Sequence, residues 1–309
     1  MRILVILLMT GLLAACSTSA PVDESIQFER NSQFSTRYLR VFLNLQDGRP
    51  LSVNTLDDVE SSEAFDTPIP GHRGHAWRFL KEEEHGTSHA YAVVSWDDDN
   101  PPDYLMVGWW AYYPGQHPPD LDPLDTEEYA IIDGPEVDPA HLPEMPVAGT
   151  AAYAGLAGGI YVYVPGATIE ERHFVSDGWE GPVTLTADFG EGTVSGCIGC
   201  AGDLTARPAV APASRGDVRH DISGYELHLA EQPFGIGNFD GGAAEVRHPS
   251  RQIAHSEGRW GGSFSNKPDA TDNPRLVTGF GVGRFEEADG SLGQLFGSFV
   301  GLSEDFREQ

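Results

Sequence analysis

Lysine is nearly absent from this chain, and the deficit leaves a strongly negative charge. Lys81 and Lys267 are its two lysines, and the 309 residues carry 19 basic against 47 acidic side chains, a formal net charge of −28. A field of this sign repels nucleic acid and anionic lipid head groups. We therefore expect no nucleic-acid partner and no general membrane-surface role.

Local enzyme signatures are missing as well. The sequence has no His-Glu-x-x-His, no Gly-x-Ser-x-Gly, no Gly-x-x-x-x-Gly-Lys and no dinucleotide-binding glycine fingerprint after a strand. We predict a protein that is not an enzyme and holds no cofactor. A secreted enzyme that uses a pair of carboxylates stays open as an alternative, because such a pair leaves no local signature.

The N-terminal segment has the shape of an export signal. Arg2 precedes an apolar run over residues 3–13, too short for the roughly 20 residues that span a bilayer. The following Leu13-Ala14-Ala15-Cys16 resembles the lipobox of a bacterial lipoprotein signal. The resemblance implies removal of residues 1–15 and lipidation of Cys16, so that the lipid is the only membrane contact. Residues 16–34 then form a flexible tether.

The other two cysteines form the spacing Cys197-Ile198-Gly199-Cys200. A catalytic pair of this kind needs a helix N-terminus to stabilise its thiolate, but glycines flank this pair and no helical pattern follows. A zinc site of four thiolates needs a second pair. Export favours a structural disulfide, which we predict; a redox centre and a metal site are the alternatives.

Two regions that differ in amino-acid composition follow the tether. Residues 35–146 contain strand-like runs such as Tyr104-Leu105-Met106-Val107-Gly108-Trp109-Trp110-Ala111-Tyr112-Tyr113, and they end in a Pro- and Asp-rich stretch, 116–146, that predicts a loop. Residues 147–309 are rich in glycine, and residues 183–189 alternate apolar and polar as in a strand with one wet face. The second region therefore predicts many short strands and no long helix.

Further strand candidates in the second region share β-branched or alternating residues, and they are 160–164, 193–198, 225–229, 243–248, 259–264, 277–285 and 294–300. Turn signals separate them, among them Asp240-Gly241-Gly242 and Ala288-Asp289-Gly290. A succession of short strands favours a sandwich or a barrel, and closure would remove exposed strand edges. Gly279, Gly281 and Gly283, on one side of a strand, suit the sharp coiling of a small barrel.

Several phrases of the second region occur together in a known order. They are Gly149-Thr150-Ala151-Ala152-Tyr153-Ala154-Gly155, Leu185-Thr186-Ala187-Asp188-Phe189-Gly190, Gly258-Arg259-Trp260-Gly261-Gly262-Ser263-Phe264, Pro274-Arg275-Leu276-Val277-Thr278-Gly279 and Gly293-Gln294-Leu295-Phe296-Gly297-Ser298-Phe299. In this order, behind a lipobox, they resemble the barrel domain of transferrin-binding protein B and its relatives, which include factor H binding protein.

The resemblance implies an all-β chain: a C-terminal eight-stranded antiparallel β-barrel in 147–309, preceded by a smaller sheet-rich handle domain in 35–146. It also implies a lipid-anchored outer-membrane protein that captures a protein or an iron- or haem-related ligand, with a protein partner or a TonB-dependent receptor. A haem carrier and a structural envelope lipoprotein are the alternatives. This chain has one lobe where transferrin-binding protein B has two, so transferrin itself is not an expected partner.

Two further groups of residues are candidates for binding. Trp110 and Tyr112 share one face of a predicted strand and offer a partner contact, because Trp and Tyr dominate binding hot spots; core packing is the alternative. His72, His75, His85 and His89 fall close together and are weak candidates for a metal site. Glycines break up any helix there, so we expect loop histidines and no metal.

Overall fold

The structure is a computed structural model. It describes the backbone of the strands within residues 26–133, and residues 145–304 apart from 172, 208–212 and 266. The described parts consist of strands, turns and a 3₁₀ segment at Gly166–Glu171. In chain order the strands are β1 (Ile26–Arg30), β2 (Leu39–Asn44), β3 (Pro50–Asn54), β4 (Val59–Asp66), β5 (Arg73–Glu83), β6 (Gly86–Trp96), β7 (Tyr104–Pro114), β8 (Glu127–Asp133), β9 (Thr150–Val164), β10 (Phe174–Asp188), β11 (Thr193–Ile198), β12 (Thr205–Arg207), β13 (Ala213–Arg215), β14 (Glu226–Pro233), β15 (Asn238–Arg247), β16 (Ile253–Phe264), β17 (Leu276–Glu287) and β18 (Leu292–Ser303).

Eight strands close into an antiparallel barrel. Neighbouring strands are hydrogen-bonded in the order β11-β14-β15-β16-β17-β18-β9-β10, and β10 pairs with β11 to complete the circle. The short β12 and β13 add to β10 outside this circle. The predicted eight-stranded antiparallel barrel is therefore confirmed, and every candidate strand of the second region lies within or overlaps one of its strands.

The barrel interior is filled by side chains. All eight strands contribute inward residues to one hydrophobic core, in which Tyr153, Trp260, Phe264 and Phe299 are among the fully buried side chains. The Phe239 ring centre lies 5.2 Å from that of Trp260 and 5.4 Å from that of Phe264. An eight-stranded barrel is just wide enough for such side chains to fill it.

Glycines on β17 make room for this packing. Gly281 and Gly283 face the interior, and a Cβ added to them would lie 2.8 Å from Leu227 and 2.5 Å from Val246 respectively. The predicted one-sided glycines of this strand thus accept side chains from β14 and β15 across the barrel.

The backbones of β9 and β18 approach closely at a second glycine position. A Cβ on Gly159 would lie 1.9 Å from the carbonyl oxygen of Phe296. The indole N–H of Trp179, from β10, lies over this approach and faces the carbonyls of Ile160 at 3.0 Å and Phe296 at 3.2 Å. The two strands leave no room for a Cβ at position 159, so glycine is required there.

Two antiparallel sheets precede the barrel. The first has the order β1-β2-β3 and the second β4-β5-β6-β7-β8. β1 lies inside 16–34, the stretch predicted as a flexible tether, and is held there by pairing with β2. The stretch 116–146, predicted as loop, contains β8, which pairs with β7 along its length. β8 has the β-branched and aromatic residues typical of a strand, namely Tyr129, Ile131 and Ile132. The loop was predicted because prolines are dense on both sides of these residues.

The barrel corrects one further prediction. Asp240-Gly241-Gly242, predicted as a turn, lies inside β15, where the register with β16 shifts between Phe239 and Gly242. Gly241 has a φ of 80°, as the extra residue of a β-bulge can require. The chain therefore bends within one strand at this point and does not reverse.

Some buried apolar side chains lie on the outside of the barrel. Ile160 and Val162 of β9 and Phe296 of β18 alternate with inward residues, yet they are 0%, 2% and 0% exposed. The backbones of β7 and β8 lie next to β17 and β18, so the five-stranded sheet adjoins this outer face. Within the described residues, no helix has the length and apolar character needed to cross a membrane.

Candidate functional site

A polar cluster lies inside one end of the barrel, around the carboxylate of Glu287. This residue ends β17, points inward and is 5% exposed. The Tyr163 hydroxyl donates to Oε2 of Glu287 at 3.1 Å, and the Tyr225 hydroxyl donates to Oε1. Nη1 of Arg251 lies 3.5 Å from Oε2. We refer to Tyr163, His220, Tyr225, Arg251 and Glu287 as the barrel-end cluster.

The members of the cluster come from separate parts of the chain. Tyr163 and Glu287 lie near the ends of β9 and β17, and both occupy inward positions of the two-residue alternation. Tyr225 immediately precedes β14, while His220 and Arg251 lie in connections between strands. Barrel closure brings these positions to one end.

The His220 ring packs between aromatic side chains. Its centre lies 3.5 Å from that of Tyr163, with planes 15° apart, and 5.3 Å from that of Tyr225. Burial lowers the pKa of His220 to about 3, and the Arg251 cation acts in the same direction. The imidazole is therefore neutral near pH 7.

The turn over residues 248–251 fixes Arg251. Nδ1 of His248 accepts the backbone N–H of Ser250 at 3.1 Å and that of Arg251 at 3.0 Å. The ring proton therefore sits on Nε2, which faces the carbonyl of Ser223 at 3.1 Å. The guanidinium carbon of Arg251 lies 5.7 Å from the centre of the Tyr225 ring, within the range of a cation–π contact.

The barrel-end cluster surrounds the buried carboxylate of Glu287 with hydrogen-bond donors and a cation. Burial, and then the hydrogen bond to Glu287, raise the pKa of Tyr225; burial is also the largest cause of the raised pKa of Tyr163. Both phenols therefore stay protonated and donate to the carboxylate, which Arg251 also faces. Two phenol donors and a cation compensate a buried carboxylate, whereas removing one partner would leave it partly unpaired.

The two cysteines of the second region form a disulfide on the outer side of the barrel. Cys197 lies in β11 and Cys200 in the following turn, with their Cα atoms 5.8 Å apart. Gly199 turns the chain between them with a φ of 90°, and its N–H donates to the carbonyl of Pro182 at 2.9 Å. Turn residues and then β12 follow the pair, so it does not stand at a helix N-terminus.

Trp110 and Tyr112, the predicted contact residues, both lie on β7. They are two positions apart and so share a face of the five-stranded sheet. β7 is hydrogen-bonded to β6 on one side and to β8 on the other. Contact with a partner through these residues stays a prediction.

The structure separates two of the weak metal candidates. His75 of β5 lies opposite Val94 and His89 of β6 lies opposite Leu80. On β6 the positions 89 and 94 are five residues apart, a separation of roughly 16 Å along a strand. His75 and His89 therefore do not share a site, and they lie on strands where loops were predicted. His72, His85 and the predicted lipidation site Cys16 lie outside the described residues.

Sequence reasoning missed the barrel-end cluster. Its five members have no common spacing, since strand closure alone brings them together. One signal was available: Glu287 lies two residues beyond the end of the predicted strand 277–285 and has the same parity as the apolar Phe285, so it would face inward if the strand continued. Such a residue needs buried partners.

Comparisons of the chain with protein-family models, with curated proteins and with solved structures each found no match. The likeness to the transferrin-binding protein B family therefore rests on the quoted phrases of the sequence.

Proposed function

We propose that this chain is a lipid-anchored protein of the bacterial outer membrane that captures a protein partner or an iron- or haem-related ligand. In this proposal the lipid on Cys16 is the anchor, the residues that lead from it to β1 (Ile26–Arg30) are the tether, and the barrel is a rigid base. Capture takes place on the sheet-rich N-terminal region, 35–146.

The filled barrel carries this proposal. Barrels of eight strands either pack their interior with side chains or hold one small ligand. Here Trp260, Phe264 and Phe299 occupy the interior, and Glu287 sits among its partners at one end. This packing supports a role as a scaffold whose binding surfaces lie outside. The net charge of −28 favours a partner with a basic surface.

Fractionation tests the anchor. We expect wild-type protein in the membrane fraction, carrying radiolabelled palmitate, and Cys16→Ala protein that is released or unprocessed and unlabelled. The double variant Cys197→Ser/Cys200→Ser removes the other two thiols and is the matched control; it should keep the label. Palmitate that persists on Cys16→Ala would contradict the anchor.

A pull-down from intact cells, with the acylated full chain as bait, tests capture. We expect a stoichiometric partner that is lost in Trp110→Ala/Tyr112→Ala. Trp109→Ala, on the same strand with opposite parity, is the control and should keep the partner. Retention of the partner by the double variant would contradict capture at these residues. A Soret band from haem bound to the purified chain, with no protein retained, would favour the haem carrier instead.

A further inference from the structure

We propose that the reduced form of this protein binds a zinc-class divalent cation on the outside of the barrel. The ligands are the thiolates of Cys197 and Cys200, Nε2 of His228 and the carboxylate of Glu226. The site is independent of the proposed capture function, because it uses the outer side of β11 and β14 and needs neither the anchor nor the N-terminal sheets.

The pairing of β11 with β14 assembles these side chains. Cys197 lies directly opposite His228 in the register, and Cys200 Sγ lies 3.7 Å from His228 Nε2. The three candidate ligand atoms of Cys197, Cys200 and His228 all lie within 4.8 Å of one another. Oε2 of Glu226 lies 2.8 Å from the same Nε2. Two sulfurs and a nitrogen therefore converge on one spot, and a carboxylate oxygen lies beside the nitrogen.

One of the distances already fits a tetrahedral site, and the other edges form once reduction lets the two sulfurs separate. With Zn–S near 2.3 Å and Zn–N near 2.05 Å, the S···N edge of a tetrahedron is about 3.6 Å and the S···S edge about 3.8 Å. The 3.7 Å between Cys200 Sγ and His228 Nε2 already matches that edge. The 2.8 Å between Glu226 and His228 must open to about 3.4 Å. Both side chains are about one-third exposed, 32% and 30%, and have room to rotate.

Charged side chains of β15 flank the site. Glu245 of β15 lies opposite His228 in the register, and Nη2 of Arg247 holds its Oε2 at 2.8 Å. Imidazoles that bind metals commonly have a carboxylate among their neighbours. Two thiolates with one imidazole and one carboxylate are a ligand set that zinc accepts and that hard cations such as Mg²⁺ do not prefer.

The switch between the two forms is a balanced two-electron step. A dithiol reductant supplies two electrons and two protons, the S–S bond becomes two thiols, and the reductant leaves as its own disulfide. A divalent cation then displaces the two thiol protons. Cys200 is exposed, so a reductant reaches its sulfur. Oxidation by a disulfide reverses the step and releases the cation.

Cobalt titration tests the proposal. The protein is the full chain with Cys16→Ser, so that Cys197 and Cys200 are its only thiols, and it is studied with and without reduction. We expect the reduced form to bind one Co²⁺ per chain with a sulfur-to-cobalt charge-transfer band and tetrahedral d–d bands, all lost on adding Zn²⁺. The oxidised form should show none of these bands.

Variants separate the ligands. His228→Gln should weaken binding by at least about tenfold. His255→Gln is the matched control: this exposed histidine lies 4.0 Å from Glu257 but outside the cluster, and the variant should bind as the parent does. Circular dichroism confirms that each variant is folded. The proposal is overturned if the reduced parent shows no charge-transfer band, if the pair resists reduction in the folded chain, or if His228→Gln binds as tightly as the parent.

Discussion

Acid should destabilise this protein through His220 more than through any exposed histidine. In the folded chain burial and the Arg251 cation lower the pKa of His220 from 6.5 to about 3. Between these two pH values the unfolded chain binds the proton and the folded chain does not. The free energy of unfolding is therefore fully available above pH 6.5 and is lost as the pH falls from 6.5 towards 3.

The size of the loss follows from the same two values. At pH 4.5 the unfolded imidazole lies two pH units below its pKa, and each unit corresponds to about 1.36 kcal/mol, so the loss is at most about 2.7 kcal/mol. Residual solvent at the half-buried ring reduces this figure. His220→Phe keeps a ring against Tyr163 but cannot take up a proton, so its stability should depend less on pH by that amount.

Urea unfolding at pH 8 and pH 4.5, followed by tryptophan fluorescence, measures this difference. The carboxylates of the chain are the same in all variants, so the comparison between variants isolates the contribution of the substituted histidine. His255→Phe, at an exposed position with 68% of its side chain accessible, is the control and should keep the parent's pH dependence. A His220→Phe protein with the parent's pH dependence would refute the buried neutral imidazole.

Three further predictions concern the barrel itself. Gly159→Ala should lower the free energy of unfolding by about 3 kcal/mol, because the added Cβ meets the backbone of β18. Gly158→Ala, where the nearest atom to the added Cβ is 3.1 Å away, should lower it clearly less. Equal losses in urea unfolding would contradict the close approach of the two strands at Gly159. Cys197→Ser/Cys200→Ser should lower the free energy of unfolding by at most about 2 kcal/mol, because the disulfide closes a very short loop. A much larger loss in the same assay would contradict this prediction. Residues 147–309 alone should keep the β-sheet circular dichroism signal but self-associate through the uncovered outer face, and a monomer in sedimentation velocity would contradict that.

The sequence by itself determined the strand content of the second region, whereas its alternation left a sandwich and a barrel open. Residues 183–189 alternate because every second side chain faces a filled interior, and this local pattern is visible without any partner strand. It also located the turn at residues 288–290, where Gly290 has a φ of 82°. Both features depend on exposure and backbone conformation at single positions, so neighbouring residues carry the signal.

Tertiary structure decided what depends on register. The first part of β9, residues 150–159, is rich in Ala and Gly and has little strand propensity, but pairing with β10 and β18 on both sides makes it a strand. Asp240-Gly241-Gly242 has turn chemistry, yet both of its flanks pair within the same sheet, so it is a bulge. In both segments, backbone hydrogen bonds to neighbouring strands on both sides outweigh the low strand propensity of the residues.

The two polar arrangements are also consequences of register. Cys197 meets His228 only because β11 and β14 pair in one particular register, and a slip of one residue would send the imidazole into the core. Glu287 meets Tyr163 and Tyr225 only once β17, β9 and β14 reach the same barrel end. A linear sequence shows which side chains share a face of one strand. Which side chains of different strands come into contact is decided only when the barrel closes.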